Sequence, residues 1–348
     1  MKINVGSGSP DAMVFSPNGE YVLSGGEGGV QVWRLQDGKR IAKLVTGDVR
    51  CLAVSNDGKW IAAGTYYGHV LVWDANTYKQ VFAHNEHCLI HEVNFSPDST
   101  RLVSALHTNT VTIRDIGTRE RVQILRHDDE VIAAEYSPQG DRIATATRHC
   151  VRVYDSNDVR LLVAIKVEVT SWYNTCLLWS NDHLVVASDG KIKQFEASTG
   201  SVVSEWPVHE AAQFQFTGIA LPKHGEFIAH SAGHTVTFWN MATRISLFLT
   251  EHPQEIRSIA LSPNDRLLAL GGKDGEITIK SLSWFAVRIV SLWIVVHVNN
   301  SLAPTMCSHR VWSLCLVYNP RSRNRASEST TPRSMLGSTI NSRAQKHH

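Results

Sequence analysis

A short phrase, Val30-Gln31-Val32-Trp33-Arg34-Leu35, returns in imperfect copies about every forty residues and constrains this chain more than any other feature. It reads Val-Leu-Val-Trp-Asp at 70–74, Val-Thr-Ile-Arg-Asp at 111–115 and Val-Arg-Val-Tyr-Asp at 151–155, with further copies at 192–196, 236–240 and 277–281. The fourth residues of the seven copies are Trp33, Trp73, Arg114, Tyr154, Phe195, Trp239 and Lys280, stepping by 40, 41, 40, 41, 44 and 41. A period of this length marks a propeller or a solenoid, built from units that cannot bury their apolar faces alone.

Each copy sits inside the same run of signals. An apolar strand ends in a turn, as in Phe15-Ser16-Pro17-Asn18-Gly19, Phe95-Ser96-Pro97-Asp98 and Tyr136-Ser137-Pro138-Gln139-Gly140. Proline presets φ, Asn or Asp bonds its own backbone and Gly accepts positive φ, so these are hairpin turns. A second strand closing on small residues follows, such as Tyr21-Val22-Leu23-Ser24-Gly25-Gly26, then the repeated strand, then a fourth at 40–44 or 121–125. Four short strands per unit, with no convincing 3.6-residue periodicity anywhere, predict an all-β fold of four-stranded antiparallel blades. A flat anchor residue such as Trp33 on a pleated strand can fill the gap between neighbouring blade faces.

The unit F-S-P-N-G…S-G-G…V-x-V-W resembles the WD-repeat family over about residues 3–282. The resemblance implies a seven-bladed β-propeller with the anchors Trp33, Trp73, Tyr154, Phe195 and Trp239 third from the axis. The family's tetrad of loop His, Ser or Thr, turn Asp and anchor Trp is eroded: His127 and His252 keep the loop position and Asp274 the turn, and no blade clearly keeps all four. Residues 3–5 stand in the register of an outer strand whose own blade is missing. Pairing them with the strand near 277–281 would close the ring.

The net charge of +2 divides unevenly: +5 on residues 319–348, +2 on 283–318 and therefore −5 on 1–282. A mildly acidic repeat region argues against general phosphate binding, and no specific nucleic-acid site is expected. Residues 284–298 form an apolar run of strong β-formers, too short for a membrane span and broken by Arg288 and His297. The repeat grammar stops at Leu282, which suggests that a retained intron or shifted frame is translated from there. Residues 283–318 are thus an apolar extension of uncertain status, and 319–348 a disordered basic tail. The six cysteines lack ligand spacing and the N-terminus lacks a signal h-region, so a cytoplasmic, possibly nuclear, setting is expected.

Seventeen histidines show no HExxH and no paired spacing; even His84, His87 and His91 straddle a loop and a strand start, so no metal, cofactor or catalytic residue is expected. A binding surface is easier to locate. Family geometry puts the residue four before each inner strand's last hydrophobe at the channel mouth: Asp11, Arg50, His91, Ile132, Thr175, Thr217 and Arg257. This mixed set favours a protein or peptide over a polyanion, with Arg50 and Arg257 the leading contacts. The expected function is a noncatalytic interaction scaffold, a monomeric ring within complexes. Two alternatives stand beside it: a sensor or adaptor propeller detached from a larger protein of nucleotide-binding or ubiquitin-ligase adaptor type, and an enzyme, which would need convergent acids in the channel mouth.

Overall fold

The computed structural model describes residues 1–282 except 7, 45, 170–175, 189, 208–216 and 223–225. Among these residues every sheet is a four-stranded antiparallel blade, and there are seven. Each is a meander with the anchor strand third, as in Ala12–Phe15, Tyr21–Gly26, Gly29–Arg34 and Arg40–Leu44. The inner strands Ala12–Phe15, Val49–Val54, Ile90–Phe95, Val131–Tyr136, Leu177–Ser180, Thr217–Ala220 and Ile256–Leu261 each contact the next, and the last contacts the first. The seventh blade takes its outer strand from the other end of the chain. Lys2–Asn4 pairs with Glu276–Ser281 in the register Ile3 to Ile277, flanked by bonds from Met1 N to Ile279 O and from Val5 N to Gly275 O, both 2.9 Å.

The repeated serine fixes the first hairpin of five blades. Ser16, Ser55, Ser96, Ser137 and Ser262 accept at Oγ from the backbone N–H five residues on, at 2.9 to 3.0 Å. That bond lets the chain reverse in a fixed register, which carries the alternation of faces into the second strand.

The anchors bridge blades. Trp33 packs with Ile3, Ala269 and Ile277 of the last blade; Trp73 packs with Leu23, Val30 and Val32 of the first; Tyr154 packs with Val103, Val111 and Ile113 of the third. Phe195 joins Val151, Val153 and Ile165 in the same way. Trp239 differs, being half-buried while its neighbour Phe238 is fully enclosed. In the third blade Arg114 occupies the anchor position yet is buried, its guanidinium 2.7 Å from Glu86, whose side chain is also buried. Glu86 lies nine residues before Phe95, where the fourth blade has His127 nine before Tyr136. An acid and a base have replaced His and Trp together.

Tetrad remnants survive elsewhere. Trp33 Nε1 donates to Ser24 Oγ at 3.0 Å, and His127 Nε2 lies 2.8 Å from Thr145 Oγ1 and 3.4 Å from the Tyr154 hydroxyl. The fourth blade thus keeps three of the four groups in contact. The apolar extension and the basic tail, 283–318 and 319–348, lie outside the described residues, as do Cys307 and Cys315. No helix among the described residues is long and apolar enough to cross a membrane.

Candidate functional site: the channel mouth

Four of the seven residues expected at the channel mouth share a backbone feature. The inner-to-second strand pairing slips between Val49 and Cys51, between Ile90 and Glu92, between Val131 and Ala133, and between Ile256 and Ser258. The residue left over in each case is Arg50, His91, Ile132 or Arg257. A bulge of this kind adds one unpaired residue and turns the strand, re-aiming that side chain relative to the face it would otherwise share. These four are therefore strand residues, and not solvated loop positions. Arg50, His91 and Ile132 are buried at 6%, 7% and 8% exposure, while Asp11 and Arg257 are half-exposed. Thr217 begins its inner strand, and Thr175 lies outside the described residues.

Asp11, Arg50, His91 and Ile132 line a central cavity of about 250 Å³ together with Glu92, Asn94 and Glu135. The two acids had no flag in the sequence. Glu92 accepts from Ala134 N at 2.8 Å; Glu135 accepts from Asn94 Nδ2 at 3.3 Å and from Trp179 N at 3.2 Å. Burial pushes the Glu92 carboxyl up to about 8, against the pull of the Ala134 N–H and of Arg50. Burial also raises Glu135 well above the carboxylate range, and Glu92 adds to the effect. Two acids near each other in a low-dielectric wall cannot both ionise cheaply. Glu92 and Glu135 thus serve the channel wall as hydrogen-bonding groups more than as fixed negative charge.

A second cluster sits on the loop-bearing side between the third and fourth blades. Glu130, which precedes the strand Val131–Tyr136, receives His91 Nε2 at 2.5 Å and His107 Nδ1 at 2.6 Å on one oxygen, while Arg148 approaches the other at 3.5 Å. An ionised carboxylate only accepts, so both rings donate to it. Burial first, then Arg50, lowers His91 to about 4, against the opposing pull of Glu130. The His91 contact is accordingly a hydrogen bond from a neutral ring. His84 and His87 do not join His91; His84 instead faces Glu86 at 3.7 Å. Sequence reading found no acid partner for the histidines because Glu130 is 39 residues from His91 and 23 from His107. Its position two residues before Ile132, at a mouth, was the available signal.

Comparison with known proteins agrees with the architecture. The family model for the WD domain, G-beta repeat, matches residues 6–34, 38–74 and 244–279. Autophagy-related protein 16 of Arabidopsis thaliana is 24% identical over 302 residues, covering 81% of this chain and 49% of that protein. Small ribosomal subunit protein RACK1 of Neurospora crassa is 31% identical over 117 residues, covering 32% of this chain and 37% of that one. The chain thus spans about a third to a half of the length of these curated relatives. The crystal structure of the Cps50 (Swd1) β-propeller domain of Myceliophteria thermophila superposes with a TM-score of 0.70 at 19% identity, covering 80% of this chain and 98% of that one.

Proposed function

This chain is a WD-repeat β-propeller, and from that premise we propose that it works as a noncatalytic scaffold binding protein or peptide partners on its loop-bearing face. Propellers of this family are typically interaction scaffolds. The observation that carries the reading is the repeated bulge, which aims Arg50, His91, Ile132 and Arg257 from equivalent positions around one mouth. Side chains held on strands lose little further freedom on binding, so a mixed ring of them can be selective. Asp11 and Arg257 make first contact because they are half-exposed; Arg50 and His91 contribute from the wall. Residues 1–282 act as the propeller unit in this reading. A cytoplasmic or nuclear setting belongs to the same proposal, supported by the free thiols of Cys51, Cys88, Cys150 and Cys176.

A second reading, a propeller that serves as the sensor or adaptor module of a larger protein, is favoured by the alignment with Autophagy-related protein 16, which takes in 81% of this chain but 49% of that protein. The enzymatic alternative asked for convergent acids. Glu92 and Glu135 converge, but their carboxyls are pushed toward the protonated form and occupied by backbone and amide donors, which suits wall residues better than reacting ones.

The scaffold reading is tested with the full chain as bait, beside Asp11→Arg and Arg257→Glu on the loop-bearing face and Lys79→Glu in the turn on the opposite face. Partners kept by wild type and Lys79→Glu but lost from the other two, with unchanged circular dichroism, are the expected result. Loss only from Lys79→Glu would move the binding face.

A further inference from the structure

The geometry points to a divalent transition-metal site, zinc foremost, at His91, His107 and Glu130. One ligand atom from each lies within 4.8 Å of the others, and both imidazole nitrogens already converge on a single Glu130 oxygen. Their rings are tilted by 45° with centroids 5.7 Å apart, so the two lone-pair directions can meet at one point. Two nitrogens and one carboxylate oxygen form the donor set of open, three-ligand zinc sites. Magnesium and calcium demand mostly oxygen, which this set does not supply.

The chain's own packing does much of the positioning. His91 is the bulged residue of its inner strand and its side chain is 4% exposed. His107 follows the strand Arg101–Leu106, and Glu130 leads into the strand Val131–Tyr136. The site therefore ties the third blade to the fourth across the loop-bearing face. His107 is 55% exposed, which leaves the outer side open for a water or a partner's side chain as fourth ligand.

An ion bonded at about 2.0–2.1 Å to each donor needs the donors about 3.3 Å apart, so the two present contacts must widen by about 0.8 Å. Coordination also moves each ring proton to the opposite nitrogen. His107 Nε2 can meet solvent; His91 Nδ1 is buried and has no hydrogen-bond partner among the described residues in either form. Arg148, 3.5 Å from the other Glu130 oxygen, opposes an ion electrostatically, but its side chain is 40% exposed and can swing outward. The inference is independent of the scaffold reading.

With seventeen histidines in the chain, stoichiometry alone decides nothing, so the test rests on variants. The full chain, stripped with chelator, is titrated with Co²⁺ followed by its visible absorption, then with Zn²⁺ in competition, with Mg²⁺ as the null competitor. Wild type should develop a low-symmetry cobalt spectrum that zinc erases. His107→Ala, a change at an exposed side chain, should lose that spectrum and weaken zinc binding about a hundredfold, while His149→Ala, exposed on the same face, should match wild type. Arg148→Ala should bind several-fold more tightly. Equal titration of wild type and His107→Ala, or unchanged or weaker binding by Arg148→Ala, would overturn the site.

Discussion

Arg114 shows how a single residue can abandon a repeat's rule and still obey its packing. A guanidinium at a buried anchor is tolerable only with a carboxylate beside it, and Glu86 supplies one at 2.7 Å from the position a loop histidine holds elsewhere. Removing one partner strands a buried charge, so Glu86→Ala should cost about 3–5 kcal/mol in urea unfolding. The double change Glu86→His with Arg114→Trp should return to within about 1 kcal/mol of wild type or better, because buried ion pairs seldom outperform well-packed replacements. The channel acids carry a pH signature. Glu92 holds its proton to about 8 when folded but titrates near its ordinary 4.5 when unfolded, so between those values the folded form binds more protons. Stability from this group is full below pH 4.5 and declines as pH rises toward 8. Glu92→Gln should therefore match wild type most closely at acid pH relative to its own baseline, and gain on it steadily as thermal unfolding is repeated up to pH 8. His91 and His127, each lowered to about 4, act in the opposite sense, losing stability as pH falls from 6.5 to 4. The contacts of Glu92, Glu135 and His91 were not legible in the sequence, because they join residues of neighbouring blades and spacing along the chain carries no label for which loops meet. Glu86 and Arg114 belong to one repeat, and what hid them is that neither is the residue type the repeat pattern calls for at its position.

At the scale of strands, most of the blade grammar was legible, because turn chemistry and two-residue alternation are local. The second strand's small residues were visible too, but their purpose is a contact with the following blade. A side chain begun at Gly64 would meet Ile90 Cγ2 at 2.5 Å and Cys51 Sγ at 2.6 Å, just where an inner strand starts its bulge. Ala105 and Ala146 hold the equivalent places and are fully buried. Gly64→Val should overpack this seam and lower stability by about 1–3 kcal/mol, measured by denaturant midpoint, with strand content unchanged by circular dichroism. The mouth positions were expected from register together with the geometry of the resembled family; that four of them are bulged was not legible, since a bulge depends on the partner strand's count.

For the whole molecule, the seven-fold repeat and the borrowed outer strand were the strongest sequence signals, since a closed ring leaves no other place for residues 3–5. Deleting residues 1–5 should uncover the edge of Glu276–Ser281 and produce a lower melting temperature with self-association by light scattering. A monodisperse variant with unchanged melting would show that the closure is dispensable. The borrowed strand also sets an order of events in time. Lys2–Asn4 leaves the ribosome before every other described strand, yet its partner Glu276–Ser281 is the last described one to be made. At about 5–20 residues per second the first strand waits roughly a quarter of a minute to a minute for its mate. Six blades can form meanwhile, but the molecule spends its synthesis as an open arc with two sticky ends, the interval in which a chaperone has most to do.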